Sequence, residues 1–138
     1  MIQSNTRDFS TSDFISRMIG VPWSNRACSF EKTDCWGLVV LYYRYVLDIE
    51  LHQTPGYEAG EDFFTCYQGD VVFWRKADKP VEGGIFVGYR GAQPAHVGLI
   101  LNRQALHSRG ENGSVRIDSL LVIQRAFTKV EFFEYGAG

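Results

Sequence analysis

The run from Cys35 to Leu47, "CWGLVVLYYRYVL", restricts the fold more than any other part of the chain. From Trp36 on, its residues are apolar or aromatic except for Gly37 and Arg44. Thr33 or Asp34, immediately ahead of it, can cap a helix N-terminus. A helix that is apolar on nearly every side is buried on nearly every side. The run therefore predicts a central helix laid against a sheet. It is too short to cross a bilayer, which takes about 20 apolar residues, so no membrane insertion is expected. It also places a thiol, Cys35, in the first turn of that helix. Such a cysteine is a small core residue, a metal ligand or a nucleophile, and the rest of the chain has to decide between these.

The surrounding sequence predicts what the helix packs on. "TSDFISRMIG" reads as a short helix capped by Thr11 or Ser12, with Phe14, Ile15, Met18 and Ile19 on one face and Gly20 as its stop. "VPWSNRACSFEK" is a turn-rich connection. After the central run, "TPGYEAGED" is a loop, "GDVVFWR" a turn and a buried strand, and "KADKPVEGG" another loop. Four β-type runs follow, "IFVGYR", "HVGLIL", "ALHSR" and "SVRID", separated by turn residues. "SLLVIQRAF" suits a short helix capped by Ser119, and "KVEFFEY" a closing strand. Helices first and strands later at hairpin spacing predict an α+β fold with an antiparallel sheet. The 138 residues show no repeat and suit one domain, residues 1–138, large enough for a core without disulfide staples.

Several function classes are disfavoured. Fourteen basic against sixteen acidic residues, a net charge of −2, leave no electrostatic footprint for nucleic acid. Cys28, Cys35 and Cys66 are odd in number and widely spaced, which suits neither a disulfide framework nor a close-spaced zinc pair. No metal and no cofactor is expected. The opening "MIQSNTRDFS" lacks the apolar stretch of a signal peptide, so synthesis in the cytoplasm without an address is expected.

If Cys35 is a nucleophile, its thiolate is the reactive form. A helix N-terminus favours an anion, and an imidazole beside the sulfur takes its proton. Of the three histidines, His52 lies beyond the far end of the helix, roughly 25 Å along at about 1.5 Å per residue, and is a poor partner. His96 opens a strand whose face alternates His96, Gly98, Ile100. Gly98 leaves room there for another element, with the start of the Cys35 helix as the candidate. His107 follows eleven residues later. A hairpin turning near Asn102–Arg103 with an even loop puts both imidazoles on one face, opposite or one pair apart. His107 then orients His96. Singly, each signal also fits a core cysteine, a structural histidine or a histidine pair on a metal.

In combination, "TDCWGLVVLYYRY", "GDVVFW", "AHVGLIL" and "ALH" resemble, in order and spacing, the motifs of the NlpC-type cell-wall cysteine endopeptidases, which have a papain-like α+β core. The resemblance runs from about Phe14 to about Asp118. It implies a thiol endopeptidase of peptidoglycan stem peptides, cutting between D-glutamate and a diamino acid, with Cys35 as nucleophile, His96 as base and His107 as third polar residue. It also implies that Asp34 binds a peptide amine and that Trp23 lines the site in place of the family's tyrosine. The family's cell-wall recyclers have serine where Trp36 stands and a Gly-Gly pair where Arg26 and Ala27 stand, both bordering the substrate. With Trp36 and "IGVPW", the chain is most similar to tail-assembly peptidases of long-tailed phages. That implies other tail proteins as partners, a place in the virion tail and action in the periplasm. A structural tail-tip protein with a vestigial or shielded site is the alternative, and acyl transfer or amidase chemistry on the same scaffold a third.

Overall fold

The computed structural model describes residues 9–25, 27–51, 74–108 and 113–136. The central helix α2 spans Cys35–Tyr45, and every residue from Cys35 to Tyr43 is buried. Valines and tyrosines are middling helix formers, so burial of this surface, at about 1.5–3 kcal/mol per large side chain, stabilises the helix more than propensity does. Asp34 is its cap, accepting a hydrogen bond from the Gly37 N–H at 2.7 Å. The first helix, α1, spans Thr11–Met18 and is capped by Ser10 rather than Thr11 or Ser12. Thr11 is already helical, and its hydroxyl meets the Tyr42 hydroxyl at 3.2 Å instead. Phe14 and Met18 are buried as expected, but Ile19 is 50% exposed because the helix ends before it.

Six strands form one antiparallel sheet in the order β1-β6-β2-β3-β4-β5. They are β1 Trp74–Ala77, β2 Ile85–Arg90, β3 Gln93–Leu101, β4 Gln104–Ser108, β5 Val115–Ser119 and β6 Lys129–Tyr135. A third helix, α3, spans Leu120–Ala126 with Ser119 as its cap. The four middle strands and the closing helix and strand lie close to where their sequences predict them, except that β3 begins at Gln93, so His96 lies within it rather than opening it. The strand expected in "GDVVFWR" has its residues 69–73 outside the described region. From Trp74 it runs on to Ala77, into the expected loop.

The two sheet faces carry two cores. Val87, Val97, Leu99, Leu101 and Leu106 join the α2 core, while Phe86, Ile100, Ala105 and Phe132 form a smaller one with Ile123 of α3. β3 and β4 are joined by a two-residue turn, Asn102–Arg103, with φ of 55° and 65°, the left-handed pair of a type I′ hairpin. Their pairing is confined to Leu99–Leu101 against Gln104–Leu106, so the strands part before His96 and His107.

Candidate active site

The start of α2 is lodged where β3 and β4 part. On one side Ser108 of β4 donates its hydroxyl to the Thr33 carbonyl at 2.9 Å. On the other, the sulfur of Cys35 lies against the backbone N–H of Val97, the residue after His96. The connection ahead of α2 braces the same point. Trp23 pairs with Thr33 through an isolated parallel bridge, and Cys28 pairs with Thr33 through an antiparallel one. The Cys28 thiol also reaches the Gly37 carbonyl at 3.5 Å, which makes it a structural residue.

Cys35 keeps 9% of its surface exposed. Burial pushes its thiol up to about 12, and the Asp34 charge adds to that. The N–H groups of Val97, Trp36 and Cys35 itself pull the other way and lose. Burial thus works towards the neutral thiol, against the anion that the helix N-terminus favours.

His96 and His107 meet as the hairpin argument predicts, one pair apart on one sheet face. His96 Nε2 lies 2.8 Å from His107 Nδ1. His107 is fully buried, and its Nε2 lies 2.7 Å from Asp118 Oδ2. An ionised carboxylate only accepts, so His107 donates from Nε2 and presents a lone pair at Nδ1. That lone pair accepts from His96 Nε2–H, which leaves the basic lone pair of a neutral His96 at Nδ1. Phe127 stacks on the His96 ring at 5.7 Å, and Phe86 lies obliquely or edge-on to both imidazoles.

The room at Gly98 is used differently from the expectation. A Cβ there would come within 2.4 Å of the Phe86 ring and 2.7 Å of His107 Cβ, so the space admits these side chains and not α2. The helix packs on the other face, against Val97, Leu99 and Leu101, and its N-terminus reaches the histidine strand through the backbone of Val97.

The remaining sequence-predicted residues separate into two groups. Asp34 and Trp23 stand at the α2 N-terminus beside Cys35, Asp34 buried and Trp23 half-buried. Trp36 turns into the core at 3% exposure, its ring edge-on to Trp74 with centroids 6.2 Å apart and its indole N–H without a hydrogen-bond partner among the described residues. His52, Cys66 and Arg26 lie outside the described residues. Sequence reasoning missed Asp118, although the signal was present: it follows His107 by the same eleven residues that separate His107 from His96. Among the described residues no cluster of three His, Cys, Asp or Glu side chains could hold a metal ion.

Three solved structures share this arrangement of elements. The NlpC/p60 domain of the peptidoglycan hydrolase SagA superposes with a TM-score of 0.59 at 16% identity, covering 88% of this chain and 92% of that one. NlpC1 from Trichomonas vaginalis gives 0.65 at 16% identity, covering 91% of this chain and 42% of that one. NlpC2 from the same organism gives 0.61 at 16% identity, with 91% and 45% covered. This chain thus spans less than half of either Trichomonas protein. No curated protein matches it in sequence. At such identities the likeness establishes the α+β fold, with Cys35 at the start of the helix that packs on the sheet. The sequence pattern of the NlpC/P60 family matches residues 20–131, most of the length, and on that match the chain belongs to the NlpC/P60 family.

Proposed function

We propose that the protein is a thiol peptidase that hydrolyses stem peptides of peptidoglycan, with Cys35 as nucleophile and His96 as base. The observation that carries this reading is the placement of the Cys35 sulfur on the amide of Val97, the residue next to His96, whose ring is in turn bonded to His107. The SagA likeness supports the substrate class, since that protein is a peptidoglycan hydrolase. His96 Nδ1 takes the Cys35 proton as the sulfur attacks the scissile carbonyl. The proton passes to the leaving amine, and a thioester forms on Cys35. Water, deprotonated by the same imidazole, then opens the thioester and restores the thiol.

Because burial pushes the Cys35 thiol up, the sulfur needs the His96 base to take its proton before or as it attacks. An amine on the substrate, set against Asp34, would offset the charge that helps to hold the thiol up. This supports a peptide with an amine-bearing end or a diamino acid near the scissile bond; a cut after D-glutamate is what the family resemblance implies. The Trp after the cysteine and "IGVPW" ahead of it support a place among phage tail-assembly peptidases, acting in the periplasm with other tail proteins as partners.

A second reading, a structural tail-tip protein with a silent site, is favoured by the burial of Cys35. Digestion of Gram-negative-type sacculi, read by chromatography and mass spectrometry, separates the two. Release of new peptide termini by the wild type and not by Cys35→Ala supports the peptidase. Equal, empty profiles from the two proteins, folded, reduced and supplied with tail partners, support the structural role.

A further inference from the structure

We propose that Asp118 is a positioning residue for the His96 base, acting through His107, and that Arg116 sets how much of the carboxylate's charge reaches the two imidazoles. This rests on the peptidase reading for its catalytic meaning.

The geometry is two equal diagonal steps across three strands. His107 stands one pair off His96, and Asp118, opposite Ala105, stands one pair off His107. Gly98 and Ala105 are the small residues that clear the two diagonals. The contacts are 2.8 Å and 2.7 Å, and Asp118 retains 10% of its side-chain exposure while His107 retains none. A buried imidazole between a carboxylate and a second imidazole passes a preference along: the carboxylate fixes which nitrogen of each ring carries hydrogen. It also stabilises a positive charge on the pair once His96 takes up the thiol proton.

Charged groups face this row from two sides. Arg116 on β5 grips the carboxylate with two donors, Nε to Oδ2 and a terminal nitrogen to Oδ1, each at 3.0 Å. Arg90 lies over Phe127, 4.9 Å from the centre of the ring that stacks on His96. Both oppose a proton on the imidazoles, Arg116 by sharing the carboxylate. Burial raises the Asp118 carboxyl, but the hydrogen bonds from His107 and Arg116 outweigh it, so the group is ionised at neutral pH.

The geometry therefore predicts shifts of opposite sign for two neighbours. NMR titration of the histidine rings in the resting protein reads the midpoint at which the pair gains its proton, a property of the pair. In Asp118→Asn, which keeps an acceptor and loses the charge, the midpoint falls by about one pH unit or more. In Arg116→Gln it rises. The limb of the kcat/KM profile governed by the imidazole moves with the midpoint, and the Asp118→Asn effect falls on kcat more than on KM. An unmoved or raised midpoint in folded Asp118→Asn overturns the proposal, as does an unmoved or lowered one in Arg116→Gln. If Asp118→Asn fails to fold by circular dichroism, Arg116→Gln decides. The titration needs no substrate, so these outcomes are separate from whether sacculi are cleaved.

Discussion

Cys35 has three amide donors beside its sulfur and is still held as a thiol, because burial and the Asp34 carboxylate act together against them. The expected consequence is an alkylation profile without a neutral plateau. Iodoacetamide labelling of Cys35, followed by mass mapping, should climb steadily through about pH 9–10, towards the raised value. A plateau between about pH 5 and 8 would show a thiolate already paired with an imidazolium and would sink this account of the resting state. Asp34→Asn should move the rise to lower pH, since asparagine caps a helix about as well and carries no charge. The two histidines should also differ. His96→Ala should cost the bulk of the general-base contribution, about 10²–10⁴-fold in kcat. His107→Asn should cost less, because an amide oxygen can still accept from His96 Nε2–H. Equal and complete losses, with both variants folded, would give His107 a more direct part.

At the scale of elements, much was legible because the signals are local. Asp34 before an apolar run marks the start of α2, and Asn102–Arg103 between two β-type runs marks a hairpin whose register puts His96 and His107 together. The side of the sheet that α2 covers was not legible. Alternation along β3 separates His96, Gly98 and Ile100 from Val97, Leu99 and Leu101, but both sets suit a buried face, and both faces are buried. The space beside Gly98 takes Phe86 and His107 rather than a helix. Nothing within "SVRID" itself marks Asp118, because a carboxylate at a strand end is usually solvated; only its eleven-residue spacing from His107 points to it. The packing at Gly98 gives a test: Gly98→Ala must displace either the Phe86 ring or the His107 stem. Overpacking of this kind costs about 1–3 kcal/mol, and it should lower the melting temperature and the turnover together. An alanine variant with both unchanged would mean that the His107 strand yields without consequence.

Across the whole molecule, the sheet separates an apolar core under α2 from a smaller one under α3, and the polar row enters the edge of the latter. Burying His107 and most of Asp118 is tolerable only while each satisfies the other. This couples the site to stability in acid. The Asp118 carboxyl is held below its ordinary value of 3.8, since bonds to His107 and Arg116 outweigh its burial. A depressed carboxyl contributes stability that is complete above the unfolded value and is lost as pH falls through the folded one. Glu50, bonded by Arg44, and Glu131, where bonds from Tyr89 and Lys76 outweigh burial, act in the same direction. All three together should make the urea midpoint fall as pH drops from about 5 towards 2. The Asp118 share is isolated by Asp118→Asn, which should start from a lower midpoint at pH 7 and lose less of it on acidification. Parallel acid limbs in the wild type and the variant would mean that the Asp118–His107 contact contributes no pH-dependent stability, and that the acid loss belongs to the glutamates and to the rest of the molecule.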